Sequence, residues 1–169
     1  PEGVAHTDKL WVNLPMSHVR RLAVFDKVVY HYYVGRPGNT CNAEEYYRTY
    51  HVQMDMLTRM ISQYNGVRGT LNEQNDMYLR NHLLFRARQA YAVYILERNS
   101  LLRKGALKEL DDFIRENAHW LYDELDGTTI SRSLHYHYIR DWRRKQQMTF
   151  MTSLRCGIAR FAVRSCGRL

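Results

Sequence analysis

The sequence predicts an all-α protein, an antiparallel three- to four-helix bundle that is followed by a basic C-terminal extension. Only three prolines and nine glycines occur in 169 residues, so long stretches lack the two residues that disfavour helix most. Within those stretches apolar residues recur every three or four positions, which is typical of helices that bury one face. Because 45% of the residues are hydrophobic, the chain can build a core, and a helical bundle is favoured over a turn-rich β fold.

Three regions are predicted along the chain. Residues 1–16 show no clear apolar period and are assigned to an N-terminal extension. Residues 17–133 contain the amphipathic segments and form the predicted bundle. Residues 134–169 form the basic extension.

The first predicted helix covers residues 17–34 and takes Ser17 as its N-cap. Its apolar residues at helical spacing are Leu22, Phe25, Val28 and Val29. The run at residues 28–34 is rich in valine and tyrosine, so a strand is the alternative there. Gly35 and Pro37 then predict a turn.

The second predicted helix begins near Ala43, because Asn42 and Glu45 resemble a capping box. An apolar stripe follows at steps of three and four residues, and Gly66 ends it. The third predicted helix covers residues 72–99. Its apolar face comprises Met77, Leu84, Ala87 and Tyr91, together with Tyr94 or Ile95.

A fourth predicted helix covers residues 100–119, with Gly105 as its weak point, because glycine costs about 1 kcal/mol relative to alanine inside a helix. The chain is expected to turn at residues 126–128, where Asp, Gly and Thr follow one another. A basic segment at residues 134–147 and an amphipathic segment at residues 150–162 complete the chain.

Charge is concentrated at the C-terminal end. The net charge of the whole chain is +8, and eight basic residues after position 139 are opposed by Asp141 alone. Four of them are adjacent or nearly so, at Arg140, Arg143, Arg144 and Lys145. We expect these four to contact an anionic partner or anionic lipid head groups, because a basic extension attracts acidic surfaces.

No catalytic constellation is recognisable, so the chain is predicted not to be an enzyme. The sequence has no phosphate-binding glycine loop, no nucleophile elbow and no metal-ligand pair at a standard spacing. Three cysteines are too few for a disulfide scaffold and are expected to be reduced. No run approaches the ~18 apolar residues of a membrane-spanning helix, so no transmembrane segment is expected.

The third predicted helix carries arginines beside aromatic rings. Tyr78, Arg86 and Arg88 lie on neighbouring turns, with Tyr91 close by. Arginines on a rigid helix suit a partner that bears carboxylates or phosphate. The alternative is that they pair inside the bundle with Glu73, Glu97 or Asp111.

The same helix resembles a known family. Its run Tyr-Leu-Arg-Asn-His-Leu-Leu-Phe-Arg-Ala-Arg at residues 78–88 is similar to the second helix of LYR-motif proteins, where an arginine follows a tyrosine by eight residues. The leucine-lysine-glutamate helix at residues 106–119 and the glycine-threonine turn at residues 126–132 continue the resemblance in order. It covers about 55 of the 169 residues and is closest to the complex I accessory subunits of the family.

Two triplets are candidates for the leucine-tyrosine-arginine motif itself. Residues 46–48 read Tyr-Tyr-Arg, and residues 25–27 read Phe-Asp-Lys. The first keeps the tyrosine and arginine at the start of a predicted helix, and the second has the expected lead-in of Ser17 and His18. Both leave more residues before Tyr78 than is usual in the family.

The resemblance implies a three-helix bundle that binds mitochondrial acyl carrier protein. The carrier-binding residues would be Tyr47, Arg48, Tyr78, Arg86 and Arg88. No cofactor would bind directly, but the acyl-phosphopantetheine of the carrier would enter the bundle. The chain would then be a non-catalytic accessory subunit of respiratory complex I, part of the electron transport chain, peripheral on the matrix side of the inner mitochondrial membrane and in contact with membrane-arm subunits.

Two other functions remain open from the sequence. A mitochondrial ribosomal protein could place its basic extension on RNA, with Trp142, Phe150 and Phe161 stacking on bases. An accessory subunit of another inner-membrane complex, such as ATP synthase, could use the same bundle.

Overall fold

The computed structural model describes residues 8–31, 48–97, 103–129 and 136–145. All regular secondary structure within these ranges is helical, which confirms the all-α class. Only the first part of the basic extension falls within them, so the extension stays a prediction. In the same ranges no helix is long and apolar enough to cross a membrane.

Helices α1 and α2 comprise Asp8–Met16 and Tyr50–Val67, and a short 3-10 turn, Arg68–Thr70, follows α2. Helix α3 comprises Glu73–Ala92 and continues as a π-helical turn, Val93–Glu97. The remaining described helices are α4 (Ala106–Asn117), α5 (His119–Asp126) and α6 (Tyr138–Lys145). The chain forms two compact units, Pro1–Leu83 and Leu84–Leu169, and α3 contributes residues to both.

Unit 1 is built on the apolar face of α2. Its fully buried side chains are Met56, Leu57, Met60, Ile61, Leu79 and Leu83. Tyr64 is also buried, and its hydroxyl donates to Asp76 Oδ1 at 2.6 Å. Burial, followed by this hydrogen bond, raises the pKa of Tyr64 to about 12, so the phenol stays protonated and can donate.

Residues 8–16 belong to the fold of unit 1, although they were assigned to an N-terminal extension because they show no clear apolar period. They form α1, in which Asn13 is 1% exposed. The Asn13 Oδ1 atom lies 2.8 Å from Nδ1 of His82 on α3. A single buried polar contact of this kind leaves no apolar period in the sequence, which is why the helix was not predicted.

The helix predicted over residues 17–34 is not formed in its described part, because residues 17–31 contain no helical or strand structure. Ser17 follows the last residue of α1, where the His18 N–H donates to the Pro15 carbonyl at 2.8 Å. It therefore lies at the end of one helix and does not cap the start of another. Large side chains expected on a buried face, including Leu22, Phe25, Val28 and Val29, are 73 to 92% exposed.

The predicted extents of α2 and α3 agree with the structure in its described part, but Met77, which was predicted on the apolar face of α3, is 60% exposed. Helix α2 ends at Val67, one residue after Gly66, and the capping box near Ala43 lies outside the described residues. Asn72 lies directly before α3, and its Oδ1 accepts the Asn75 N–H at 2.9 Å. This bond is the one expected of an asparagine N-cap.

Unit 2 contains α4, α5 and α6. Its fully buried side chains include Tyr91, Ile95, Leu107, Ile114, Leu121, Leu125 and Ile139. Helix α4 begins at Ala106, because Gly105 has a left-handed φ of +83°. Gly105 thus precedes the helix, whereas the sequence placed it inside one, and only glycine adopts this conformation without strain.

Helix α5 was not predicted, because no breaker precedes it in the sequence. The chain leaves helical geometry at Ala118 alone, with φ −148° and ψ 62°, and resumes at His119. Leu121 and Leu125 then lie one helical turn apart on the buried side. The turn predicted at residues 126–128 is confirmed, since the Gly127 N–H donates to the Glu124 carbonyl at 3.2 Å.

Helix α6 belongs to the core of unit 2, although it falls in the predicted basic extension. Tyr138 and Ile139 are buried there. The predicted boundary between residues 133 and 134 therefore separates residues that pack together. The amphipathic segment at residues 150–162 lies outside the described residues.

Candidate functional site

Unit 2 encloses the guanidinium of Arg143, whose side chain is 8% exposed. Its Nε donates to Asp111 Oδ1 on α4 at 2.8 Å, and one terminal nitrogen donates to Asp126 Oδ1 on α5 at 2.6 Å. The same nitrogen donates to the Tyr122 carbonyl at 2.8 Å. A side chain that the sequence predicted to meet an external anion is therefore occupied by internal acceptors.

Two aromatic rings complete this group, which we call the Arg143 cluster (Tyr91, Asp111, Tyr122, Asp126 and Arg143). The guanidinium carbon lies 3.5 Å from the centroid of the Tyr122 ring, close enough for cation–π attraction. The Tyr91 hydroxyl donates to Asp111 Oδ1, and a second guanidinium nitrogen donates to the Tyr91 oxygen at 3.4 Å. The cluster joins four helices of one unit.

The charges in the cluster stabilise one another. Burial alone would lower the pKa of Arg143, but the adjacent Tyr91, Asp111 and Asp126 raise it above its ordinary value, so the guanidinium stays charged. Burial and the charge of Asp111 raise the pKa of Tyr91 well above its ordinary value, so the phenol stays neutral. One cation therefore faces two carboxylates, of which Asp126 is 43% exposed. This arrangement serves the fold and offers no site for a substrate.

The second group of interest lies on α3 in unit 2 and comprises Phe85 and Arg88, which are exposed, and Arg86, which is half-buried. We call it the Phe85 surface. The Phe85 side chain is 53% exposed, and the Arg86 guanidinium carbon lies 5.5 Å from its ring centroid. Arg86 also donates to Gln89 Oε1 at 3.1 Å. Arg88 is exposed, and its Nε donates to Thr128 Oγ1 at 3.1 Å.

These contacts bear on the two sequence-based interpretations of the α3 arginines. Asp111, one of the acidic residues considered as an internal partner, pairs with Arg143. Arg86 donates to Gln89, and Arg88 donates to Thr128 from an exposed position. The bond from Arg88 to Thr128 joins two segments that carry the resemblance described above.

The remaining predicted carrier-binding residues belong to unit 1. Tyr78 of α3 is exposed. Arg48 is exposed and lies directly before Thr49, the N-cap of α2, whereas Tyr47 lies outside the described residues. Of the two candidate triplets, residues 46–48 end at a helix start and residues 25–27 lie in a segment without helix.

The other basic residues of α6 differ from Arg143 in exposure. Arg144 and Lys145 are exposed and Arg140 is half-buried. Lys145 Nζ lies 4.0 Å from Asp141 Oδ2 across one turn of the helix. The predicted contact with an anionic partner therefore applies to these three residues and no longer to Arg143.

A cavity of about 260 Å³ lies in unit 1 and is lined by Ser17, His18, Val19, Arg20, Thr70, Asn72 and Asn75. Six of these seven side chains are polar, so the cavity does not fit an acyl chain. Among the described residues, no three or more His, Cys, Asp and Glu side chains are grouped to hold a metal ion. The three cysteines lie outside those ranges.

Comparison of the chain with protein-family models, curated proteins and solved structures finds no match. Function must therefore be argued from the residues themselves.

Proposed function

We propose that this protein is a non-catalytic accessory subunit of mitochondrial respiratory complex I that binds an acyl carrier protein. The proposal starts from the resemblance of residues 78–132 to LYR-motif proteins, in particular to subunit 9 of the NADH dehydrogenase beta subcomplex. The subunit would lie on the matrix side of the inner membrane, next to subunits of the membrane arm.

The observation that carries the proposal is the Phe85 surface. This surface combines apolar area with positive charge. The half-exposed ring of Phe85 has the Arg86 guanidinium over it, and Arg88 lies three residues further along the helix. Such a surface suits an acidic helix of a partner, because aromatic and arginine side chains dominate protein interfaces energetically. Arg86 and Arg88 are the residues to which the resemblance assigns this contact.

The proposed contact in unit 1 involves Tyr47, Arg48 and Tyr78. Arg48 supports it by its exposed position at the start of a helix, as expected of the arginine in the motif. The carrier's acyl-phosphopantetheine has no assigned place, because the cavity in unit 1 is polar. The proposal therefore rests on surface contacts with the carrier protein.

Titration calorimetry of the full chain with acyl carrier protein tests the carrier contact. The Arg86→Glu variant should bind about tenfold more weakly or worse, since each tenfold corresponds to about 1.4 kcal/mol, and the wild-type affinity should fall with added salt. The matched control is Arg115→Glu, which reverses a charge on α4 that is 50% exposed and should change the affinity less than twofold. No binding by the wild-type chain at any salt concentration would refute the carrier contact.

Affinity purification of the tagged chain from detergent-solubilised mitochondria tests the assembly. Recovery of complex I membrane-arm subunits with the carrier supports the proposal. Ribosomal proteins and rRNA in the eluate would replace it with the RNA-binding alternative. Recovery of ATP synthase subunits would indicate that the chain is an accessory subunit of that complex instead.

A further inference from the structure

Residues 20–31, which we call the arm, are the most unusual surface of unit 1. Leu22, Val24, Phe25, Val28 and Val29 each expose roughly three quarters or more of their surface. Isolated exposed apolar residues are common, but a contiguous run of this kind marks an interaction site. An aromatic side chain such as Phe25 can bury about 150–250 Å², and a standard interface buries about 800 Å² per partner, so the arm can supply a large share of one.

The backbone of the arm is also open over residues 20–29. Within the described residues, no hydrogen bond involves residues 20–29. The arm begins at a fixed point, because Asn75, which is buried, donates its side-chain N–H to the Val19 carbonyl at 2.9 Å. Beyond Val19 the chain offers a row of donors and acceptors beside exposed β-branched and aromatic side chains, the residue types that favour strands.

This backbone distinguishes between two kinds of occupant. A lipid bilayer would accept the side chains but not the open N–H and C=O groups, because each costs several kcal/mol in hydrocarbon. Membrane-surface segments are therefore helical as a rule, and the arm is not. An exposed sheet edge of another protein satisfies the backbone groups and the side chains together.

A second copy of the chain is a weaker occupant than a preformed sheet. The described residues contain no strand that could receive the arm of a second copy. Pairing of two arms alone would give an isolated two-stranded ribbon, which is marginal in water. The net charge of the arm indicates the sign of the charge expected on its partner. Arg20, Arg21 and Lys27 outnumber Asp26, which complements acidic residues beside the edge.

We propose that the arm adds as a strand to an open sheet edge of a partner protein, with acidic side chains flanking that edge. This interaction goes beyond the carrier contact of the proposed function and does not depend on it, since it uses other residues and another mode of binding.

Proline substitutions at two adjacent positions of the arm test the mode of binding. Each variant of the full chain is expressed in cells of the organism from which the protein comes. In an added strand, successive N–H groups point alternately towards the partner and away from it. One of Val24→Pro and Phe25→Pro therefore removes a bond to the partner, and the other removes an N–H that faces solvent. We expect the two variants to differ about tenfold in the fraction of chain that elutes in the native assembly.

Val24→Ala and Phe25→Ala control for loss of the side chains. Strand addition would be overturned if the two proline variants, each compared with its alanine control, eluted in the native assembly to the same extent. This holds whether both variants leave the assembly or both remain in it. The circular dichroism and thermal midpoint of the purified variants should match the wild type, because the residues replaced have no bonds within the described structure.

Cross-linking identifies the occupant. With the photoreactive analogue p-benzoylphenylalanine in place of Phe25, the cross-link in the isolated assembly should map to an edge strand that has Asp or Glu beside it. A cross-link to a helical surface, to lipid or to a second copy would overturn the proposal, as would no cross-link at all. Flotation of the purified chain with phosphatidylcholine–cardiolipin vesicles should likewise not depend on Phe25.

Discussion

The arm and helix α6 reverse the usual relation between polarity and burial. The arm is rich in valine and aromatic residues and is exposed. Helix α6 has four basic residues among eight, yet Tyr138, Ile139 and Arg143 are enclosed by unit 2. The difference shows that burial in this protein follows the availability of partners. Arg143 has two carboxylates and a carbonyl within reach, whereas the arm has no strand or groove among the described residues to receive it.

The largest expected effect concerns Arg143. Replacing Arg143 by Ala leaves Asp111 buried without its cation, so the free energy of unfolding should fall by about 3–5 kcal/mol. The control is Arg144→Ala on the exposed side of the same helix, which should change it by less than about 0.5 kcal/mol. Urea unfolding followed by circular dichroism measures both. Equal stability of the two variants would mean that the cluster does not hold α6 in place.

The second expected effect is a pH-dependent contribution of the Tyr91 hydroxyl to the stability of unit 2. Tyr91→Phe removes a hydroxyl that bonds to Asp111 and Arg143, and should cost about 1–3 kcal/mol near neutral pH. Because the pKa of Tyr91 is raised in the folded protein, this stabilisation is complete below the unfolded value of about 10 and is lost as the pH rises above it. The wild-type advantage over Tyr91→Phe should therefore shrink in alkaline buffer. An advantage that grew with pH would contradict the assigned protonation state.

The smallest effect is expected in the arm. Val24→Ser in the isolated chain should change the free energy of unfolding by less than about 0.5 kcal/mol, as exposed substitutions do. Ile139→Ala, at a fully buried position of α6, should lower it by about 2–5 kcal/mol. Thermal unfolding of the two variants gives the direct contrast. A large loss from Val24→Ser would show that the arm is part of the core after all.

Where the sequence predicted the fold correctly, the signal was local. The steps of three and four residues in α2 record burial within a few positions. Where it failed, burial depended on one contact or one backbone angle. Asn13 holds α1 through His82 of a distant segment, and a single non-helical residue, Ala118, separates α4 from α5. The prediction for the arm failed for the opposite reason, because its apolar residues have helical spacing but are exposed.

The Arg143 cluster could not have been predicted from spacing. Its cation lies 32 residues from Asp111 and 17 from Asp126, and no periodic pattern connects such positions. Asp111 was considered only as a partner of the α3 arginines, and the acidic run that contains Asp126 had no assigned role. The Phe85 surface was predicted in part, because Arg86 and Arg88 were already candidate binding residues. The cation–π contact with Phe85 could not be predicted, because it depends on how the side chains of α3 are oriented.

The same separation sets an order of events during synthesis. At about 5–20 residues per second, Asp111 is translated some seconds before Arg143. Throughout that interval the growing chain presents the acceptors of unit 2 without the cation that neutralises them. The unit can reach its final packing only once α6 has emerged, so its closure waits for a helix that is translated after all the other described helices.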